Sequence, residues 1–321
     1  MKKFVPFIIL VLLCMSAIEA QTNLKERTVS VSGTAPLEKT IIDYRIKATL
    51  SMDQVYYADT RMENLEQLKK QYFNALKEQG IDKSLNEYFD LLVKGVGAAA
   101  FHPMIRLSYA VRDRNDDEVA ISLGTWAASF LNLNVSHEIS NEVGILEILK
   151  NLKIKNFNQN KKIEADNIAN RMLKVSESED YKKLSSVILW KDLKKEELER
   201  SLLWLFSQTN NFTLLHGVTS HHAFESLLRF SSEKDIARAF YWKAILAAYL
   251  STTGVVNIDL SWKLPEIENL LPWNDLKKKA VESNDDHVIK LVHILSVKDK
   301  ERLDYELRYA SSLKLGILND S

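Results

Sequence analysis

The sequence predicts an all-α fold: a single large helical domain, with a short β-like segment near the N-terminus. Three observations predict it. Nine glycines and five prolines in 321 residues leave little material for the many tight turns of a sandwich or barrel. Beyond residue 50 the apolar residues recur at helical spacing in one segment after another. The chain is long enough to bury a core without disulfides, which matters because Cys14 is its only cysteine.

The elements follow in order. Residues 1–20, "MKKFVPFIILVLLCMSAIEA", have two lysines, an apolar run from Phe4 to about Met15 and small residues ending at Ala20. That is the layout of a secretory signal peptide cleaved before Gln21, and the run is too short to span a bilayer. The expected location is therefore exported, periplasmic or secreted, with no membrane span. Cys14 leaves with the leader, so disulfide scaffolds, thiolate nucleophiles and cysteine metal ligands are excluded. Residues 21–50 are an N-terminal extension. There "RTVSVSG" alternates, and "IIDYRIKATL" is rich in β-branched residues.

The helical domain spans residues 51–321. "MENLEQLKKQYFNALKEQG" puts Leu65, Leu68, Tyr72 and Leu76 on one stripe and stops at Gly80. "SLNEYFDLLVKGV" reads as a helix opened by Ser84. "AAAFHPMIRLSYAVRD" reads as the next, with Pro103 in its first turn. "DEVAISLGTWAASFLNL" and "NEVGILEILKNL" follow. Residues 152–183, rich in lysine, asparagine and acids, read as a solvated connector holding one short helix. Strong periodicity resumes at "KKEELERSLLWLFSQT". It continues through "SHHAFESLLRFS", "SEKDIARAFYWKAILAAYLSTTG", "PWNDLKKKAVES", "NDDHVIKLVHILS" and "DKERLDYELRYASSLKLGI".

Forty-three basic and 43 acidic residues balance, so neither nucleic acid nor an anionic membrane surface is an expected partner. A small-molecule substrate is. No glycine-rich phosphate loop, HExxH, GxSxG or CxxC occurs. Histidine remains: His102, His137, His216, His221, His222, His287 and His293.

His102, Arg106 and Tyr109 fall at i, i+4 and i+7, on one helical face. A capping histidine and an ordinary polar stripe would look the same. His216 and His222 would diverge by about 120° on a continuous helix. They share a ligand only if the chain breaks between them. Gly217, Val218 and Thr219, with Ser220 as N-cap, offer such a break. The plainer alternative is a surface pair at a helix start. His287 and Lys290 are neighbours at i and i+3, with Asn284 as the expected cap. The plainer alternative there is an ion pair of Lys290 with Asp286 at i+4. His221 and His293 point about 100° and 240° away from His222 and His287, so neither is expected to be a ligand.

"HPMIRLSYAVR", "LLHGVTSHHAF" and "DDHVIKLV", in that order, resemble the characteristic blocks of the questin oxidase-like family. The resemblance runs from about Ala98 to Leu295, and "ISLGTWAASF" and "AFYWKAILAAYL" fit it too. It implies a helical protein similar to fungal enzymes that oxidatively open anthraquinone rings. It also implies non-haem iron held by several histidines and a carboxylated lysine. Carried over block by block, the ligands are His102, His216, His222 and His287, with Lys290 as the carboxylated lysine. Arg106 and Tyr109 beside them are the catalytic candidates; relatives carry histidine at the position of Tyr109. No histidine precedes His102, where family members carry an Asn-His motif. The expected function is an exported non-haem iron oxygenase acting on an aromatic or quinone-like substrate. The alternatives are a metal-free helical binding protein of the same fold and a zinc-dependent enzyme with an open coordination position.

Overall fold

The computed structural model describes residues 59–133, 163, 165–186, 195–252, 258–298 and 304–318. The expected leader, the strand-like writing at 27–50 and the helix expected over 141–152 lie outside the described residues. Among the described residues every regular element is helical. The chain divides into two units, Met1–Glu66 and Gln67–Ser321, and nearly all described helices belong to the second.

Helix α1 (Asp59–Gln79) buries Leu68, Tyr72 and Leu76, the stripe its spacing predicts. Gly80, at φ 77, ends it and at once precedes α2 (Ile81–Leu92). The left-handed φ is cheap only for glycine, so two helices abut with one residue between them. Ser84 therefore does not open α2 but lies fully buried inside it. Helix α3 (His102–Arg112) packs most extensively on α4 (Asp116–Ala128) across a short connection. The side chain of Asn115 caps α4 by accepting from the Glu118 N–H, and three acids follow in the first turn, where the helix dipole favours them. Gly124 lets α4 approach α1 closely, because a Cβ there would meet the Lys69 backbone nitrogen at 3.0 Å.

Two short helices, α5 (Ile168–Ser176) and α6 (Glu179–Ser186), occupy the stretch expected to be a solvated connector. One short helix was expected there and two packed ones are found, for a physical reason; residues 152–162 and 164 lie outside the described residues. Ile168, Met172 and Val175 form a stripe at i, i+4 and i+7 diluted by lysine and asparagine, and all three are buried. Tyr181 is fully buried and donates its hydroxyl proton to the Lys243 carbonyl.

The remaining helices are α7 (Lys195–Thr209), α8 (Phe212–Leu227), α9 (Lys234–Leu250), α10 (Trp273–Glu282), α11 (Asp286–Lys298) and α12 (Asp304–Lys314). Helix α8 sits at the centre, packed by α3, α7, α9 and α11. Its side chains are buried on nearly every side, so it has no polar face. The predicted break at Gly217–Ser220 does not exist. Gly217 is a packing glycine, since a Cβ there would meet Leu202 of α7 at 3.0 Å. Ser220 is a mid-helix residue, donating back to the Gly217 carbonyl and hydrogen-bonded to the Tyr241 hydroxyl on α9. Asn211 is the cap, accepting from the N–H groups of Thr213 and Leu214. Trp126, Phe89, Phe101, Phe206 and Phe224 fill the core around α8. A smaller cluster of Leu276, Ala280, Val288 and Val292 joins α10 to α11. Among the described residues no helix is long and apolar enough to cross a membrane.

Candidate metal centre

Three helix starts meet at one place. The first is that of α3, which follows a turn in which Ala99, Ala100 and Phe101 are all left-handed, at φ 42, 56 and 70. Each such non-glycine residue costs of order 1 kcal/mol or more, and such strain collects at functional sites. Its local result is an anchored ring: His102 Nδ1 lies 2.7 Å from the Ala99 carbonyl oxygen. On α8, His216 Nδ1 lies 2.8 Å from the Phe212 carbonyl oxygen, one turn back. On α11, His287 Nδ1 lies 2.8 Å from Asp286 Oδ1. Asp285, not Asn284, caps that helix, accepting from the His287 and Val288 N–H groups. Asn284 instead takes a left-handed φ of 52.

One ligand nitrogen of each of His102, His216 and His287 lies within 4.8 Å of the other two. The Nε2 atoms of His102 and His216 are 3.3 Å apart. Each Nδ1 faces an oxygen that can only accept, so the neutral ring carries its proton there and leaves Nε2 a bare lone pair. Two lone pairs then face each other with no proton between them. His287 Nε2 is buried and has no hydrogen-bond partner among the described residues. Three rings clustered this closely, with these nitrogens unpartnered, form an arrangement that a cation satisfies. Nitrogens about 2.0–2.1 Å from one ion stand about 2.8–3.4 Å apart in right-angled or tetrahedral geometry, and 3.3 Å fits.

Electrostatics agree. Burial pushes His102 down to about 4, with the charges of Lys290 and His287 adding to it. Burial pushes His216 down to about 3, helped by His102 beside it. Both rings are therefore neutral at ordinary pH, the form a metal requires. Asp286 uses its second oxygen on Lys290, 2.5 Å from Nζ. The His287 hydrogen bond first, and then Lys290, hold the Asp286 carboxyl well below the usual range. Lys290 does lie beside the histidines, since its charge acts on both His102 and His216. In this form it is an ammonium bound to Asp286, the plainer of the two arrangements that the spacing allowed.

The other histidines of the described residues are not part of this cluster. His222 does not join the three: α8 is continuous, so it stands about 120° around the helix from His216. His221 is buried with Nε2 4.0 Å from Glu225 Oε1. His293 is half-buried further along α11, and His137 lies outside the described residues. Arg106 is committed to Glu118, which binds its Nε and one terminal nitrogen and ties α3 to α4. Tyr109 is two turns from His102, about 10 Å along the axis. Its buried hydroxyl has no hydrogen-bond partner among the described residues, and burial pushes its pKa up to about 12.

Two features carry little signature in sequence. The left-handed turn is written in two alanines and a phenylalanine, which carry no turn signal. Phe212 is 43% exposed, yet its ring centroid is 4.7 Å from those of both His216 and His287. Lys314 Nζ stands 5.9 Å from the same ring. The histidines thus lie directly under a surface aromatic ring with a cation beside it. The sequence holds one clue, that Phe212 is one turn before His216.

Compared with known proteins, residues 63–295 match the model of a family described as questin oxidase-like. No curated protein matches the chain. The matched span contains all three clustered histidines.

Proposed function

The chain belongs to the questin oxidase-like family, and on that premise we propose that it is a non-haem iron oxygenase acting on an aromatic or quinone-like substrate, with His102, His216 and His287 holding the metal. Family membership supports an oxidoreductase. The observation that carries the rest is the clustering of three imidazoles, each anchored through Nδ1. A thiolate-free, nitrogen-donor set suits iron. When bound, iron supplies the one-electron chemistry needed to activate oxygen, which no side chain of this set can supply alone.

The chain's own residues bind, orient and exclude water. The carbonyls of Ala99 and Phe212 and the carboxylate of Asp286 fix all three tautomers before any ion arrives. The exposed Phe212 ring offers a surface on which a planar substrate can stack. Burial keeps the Tyr109 hydroxyl protonated, so it is available as a donor but not as a base. Arg106 holds the helix that carries His102 through its pair with Glu118. Lys290 as an ammonium has no lone pair to give. A carboxylated Lys290, implied by the family resemblance, would first have to leave Asp286, because two anions would otherwise face each other. The basic start and short apolar run of residues 1–20 support an exported location.

The same three-histidine set suits zinc with an open position. Elemental analysis of the purified protein, followed by anaerobic titration with ferrous ion, separates the readings. About one iron per chain, lost in His216→Ala, is the expected result. Zinc in its place, bound tightly enough to exclude iron, favours a zinc enzyme. Binding of neither leaves a helical binding protein.

A further inference from the structure

Of the three Nδ1 anchors, two are main-chain carbonyls that come with the backbone. The third is a side chain. We propose that Asp286 is a positioning residue for this centre, holding His287 in the tautomer that turns Nε2 toward His102 and His216 while neutralising the Lys290 ammonium beside them. The proposal rests on the metal-centre reading given above.

The geometry divides the two tasks between two oxygens. Oδ1 accepts from His287 Nδ1 at 2.8 Å, and Oδ2 accepts from Lys290 Nζ at 2.5 Å. With Nδ1 taken, the nitrogen left on His287 is the buried Nε2, which has no hydrogen-bond partner among the described residues. A carboxylate anchor also makes an imidazole a better donor than a carbonyl anchor does. Lys290 is only 13% exposed, and an uncompensated ammonium there opposes a cation arriving at the nitrogens. Paired with Asp286, it leaves the site near neutral before loading. Asp285 cannot take over. Its Oδ1 is 3.5 Å from His287 Nδ1 and is already committed to capping α11.

The test uses full-length protein with 15N-labelled histidine. Long-range proton–nitrogen correlation reads each ring's tautomer without metal, and chelator competition with ferrous ion reads affinity. Wild type should show His287 protonated at Nδ1. Asp286→Ala should move it toward Nε2 and weaken ferrous binding roughly 10- to 100-fold. Asp286→Asn keeps an oxygen for Nδ1–H, so the tautomer should survive while affinity still falls. Adding Lys290→Met to Asp286→Asn should then restore most of that affinity. An unchanged His287 tautomer in Asp286→Ala, with affinity within about twofold of wild type, overturns the proposal. If Asp286→Asn binds metal no better with Lys290→Met than without it, the neutralising role is overturned. Should wild type bind no metal at all, the metal reading fails, and the tautomer in Asp286→Ala alone still decides whether Asp286 positions His287. Far-ultraviolet circular dichroism checks that each variant folds, and Asp286→Asn preserves the test if the alanine variant does not.

Discussion

At the scale of single residues, the centre is decided by where protons sit. His216 is 1% exposed and its pKa falls to about 3, so the unfolded chain binds a proton that the folded chain rejects. A lowered histidine pKa means stability that is complete above about 6.5 and is lost as pH falls toward the folded value. The slope approaches about 1.4 kcal/mol per pH unit from His216 alone. The urea midpoint of metal-free protein should therefore drop between pH 7 and pH 5, and drop less in His216→Ala. Equal drops in the two proteins would show that His216 is not held neutral. The assignment of faces is tested by substitution too. His102→Ala and His216→Ala should abolish metal binding, while His222→Ala and His293→Ala should leave metal content unchanged, measured by elemental analysis.

At the scale of elements, the start of α8 matters most. Asn211 caps it through two N–H groups, and the next residue, Phe212, supplies the carbonyl that anchors His216. Asn211→Ala should cost about 1 kcal/mol of stability, as cap losses do. It should also weaken metal binding, because the anchoring carbonyl loses its fixed position. Thermal midpoint and metal affinity falling together are the expected result; a lower midpoint with unchanged affinity would separate the cap from the site. Gly124→Ala tests the α1–α4 contact. The added methyl meets the Lys69 backbone, which cannot swing aside like a side chain. The expected loss is about 1–3 kcal/mol in chemical denaturation, despite alanine's better helix propensity.

At the scale of the whole molecule, the core and the processing of the chain can be probed separately. Trp126 is fully buried against Phe89, with its indole N–H donated to the Gly95 carbonyl. Trp126→Ala should cost about 3–5 kcal/mol, enough to threaten a fold of ordinary stability. The intact mass of exported protein should correspond to a chain starting at Gln21, and retention of Met1 would refute the leader reading. The helical class was legible because amphipathic stripes such as Leu68–Tyr72–Leu76 write their period openly. Of helices α5 and α6 only one short helix was legible, and not its burial, because two or three buried residues among polar ones carry a weak period. Nor was the unbroken α8, since a helix buried all round has no stripe to read and its glycine mimics a stop.

The sequence by itself determined the helical fold and the three blocks from which the histidines come. Local spacing also put Lys290 within reach of both His287 and Asp286. Tertiary structure decided the rest. It brought together His102, His216 and His287, which are 114 residues apart in the first pair. It left His222 outside because a continuous helix fixes its angle. It joined Lys290 to Asp286. The reason is that spacing constrains angles only within one helix. Which faces of different helices meet is set by how the whole core packs, and no local pattern contains that.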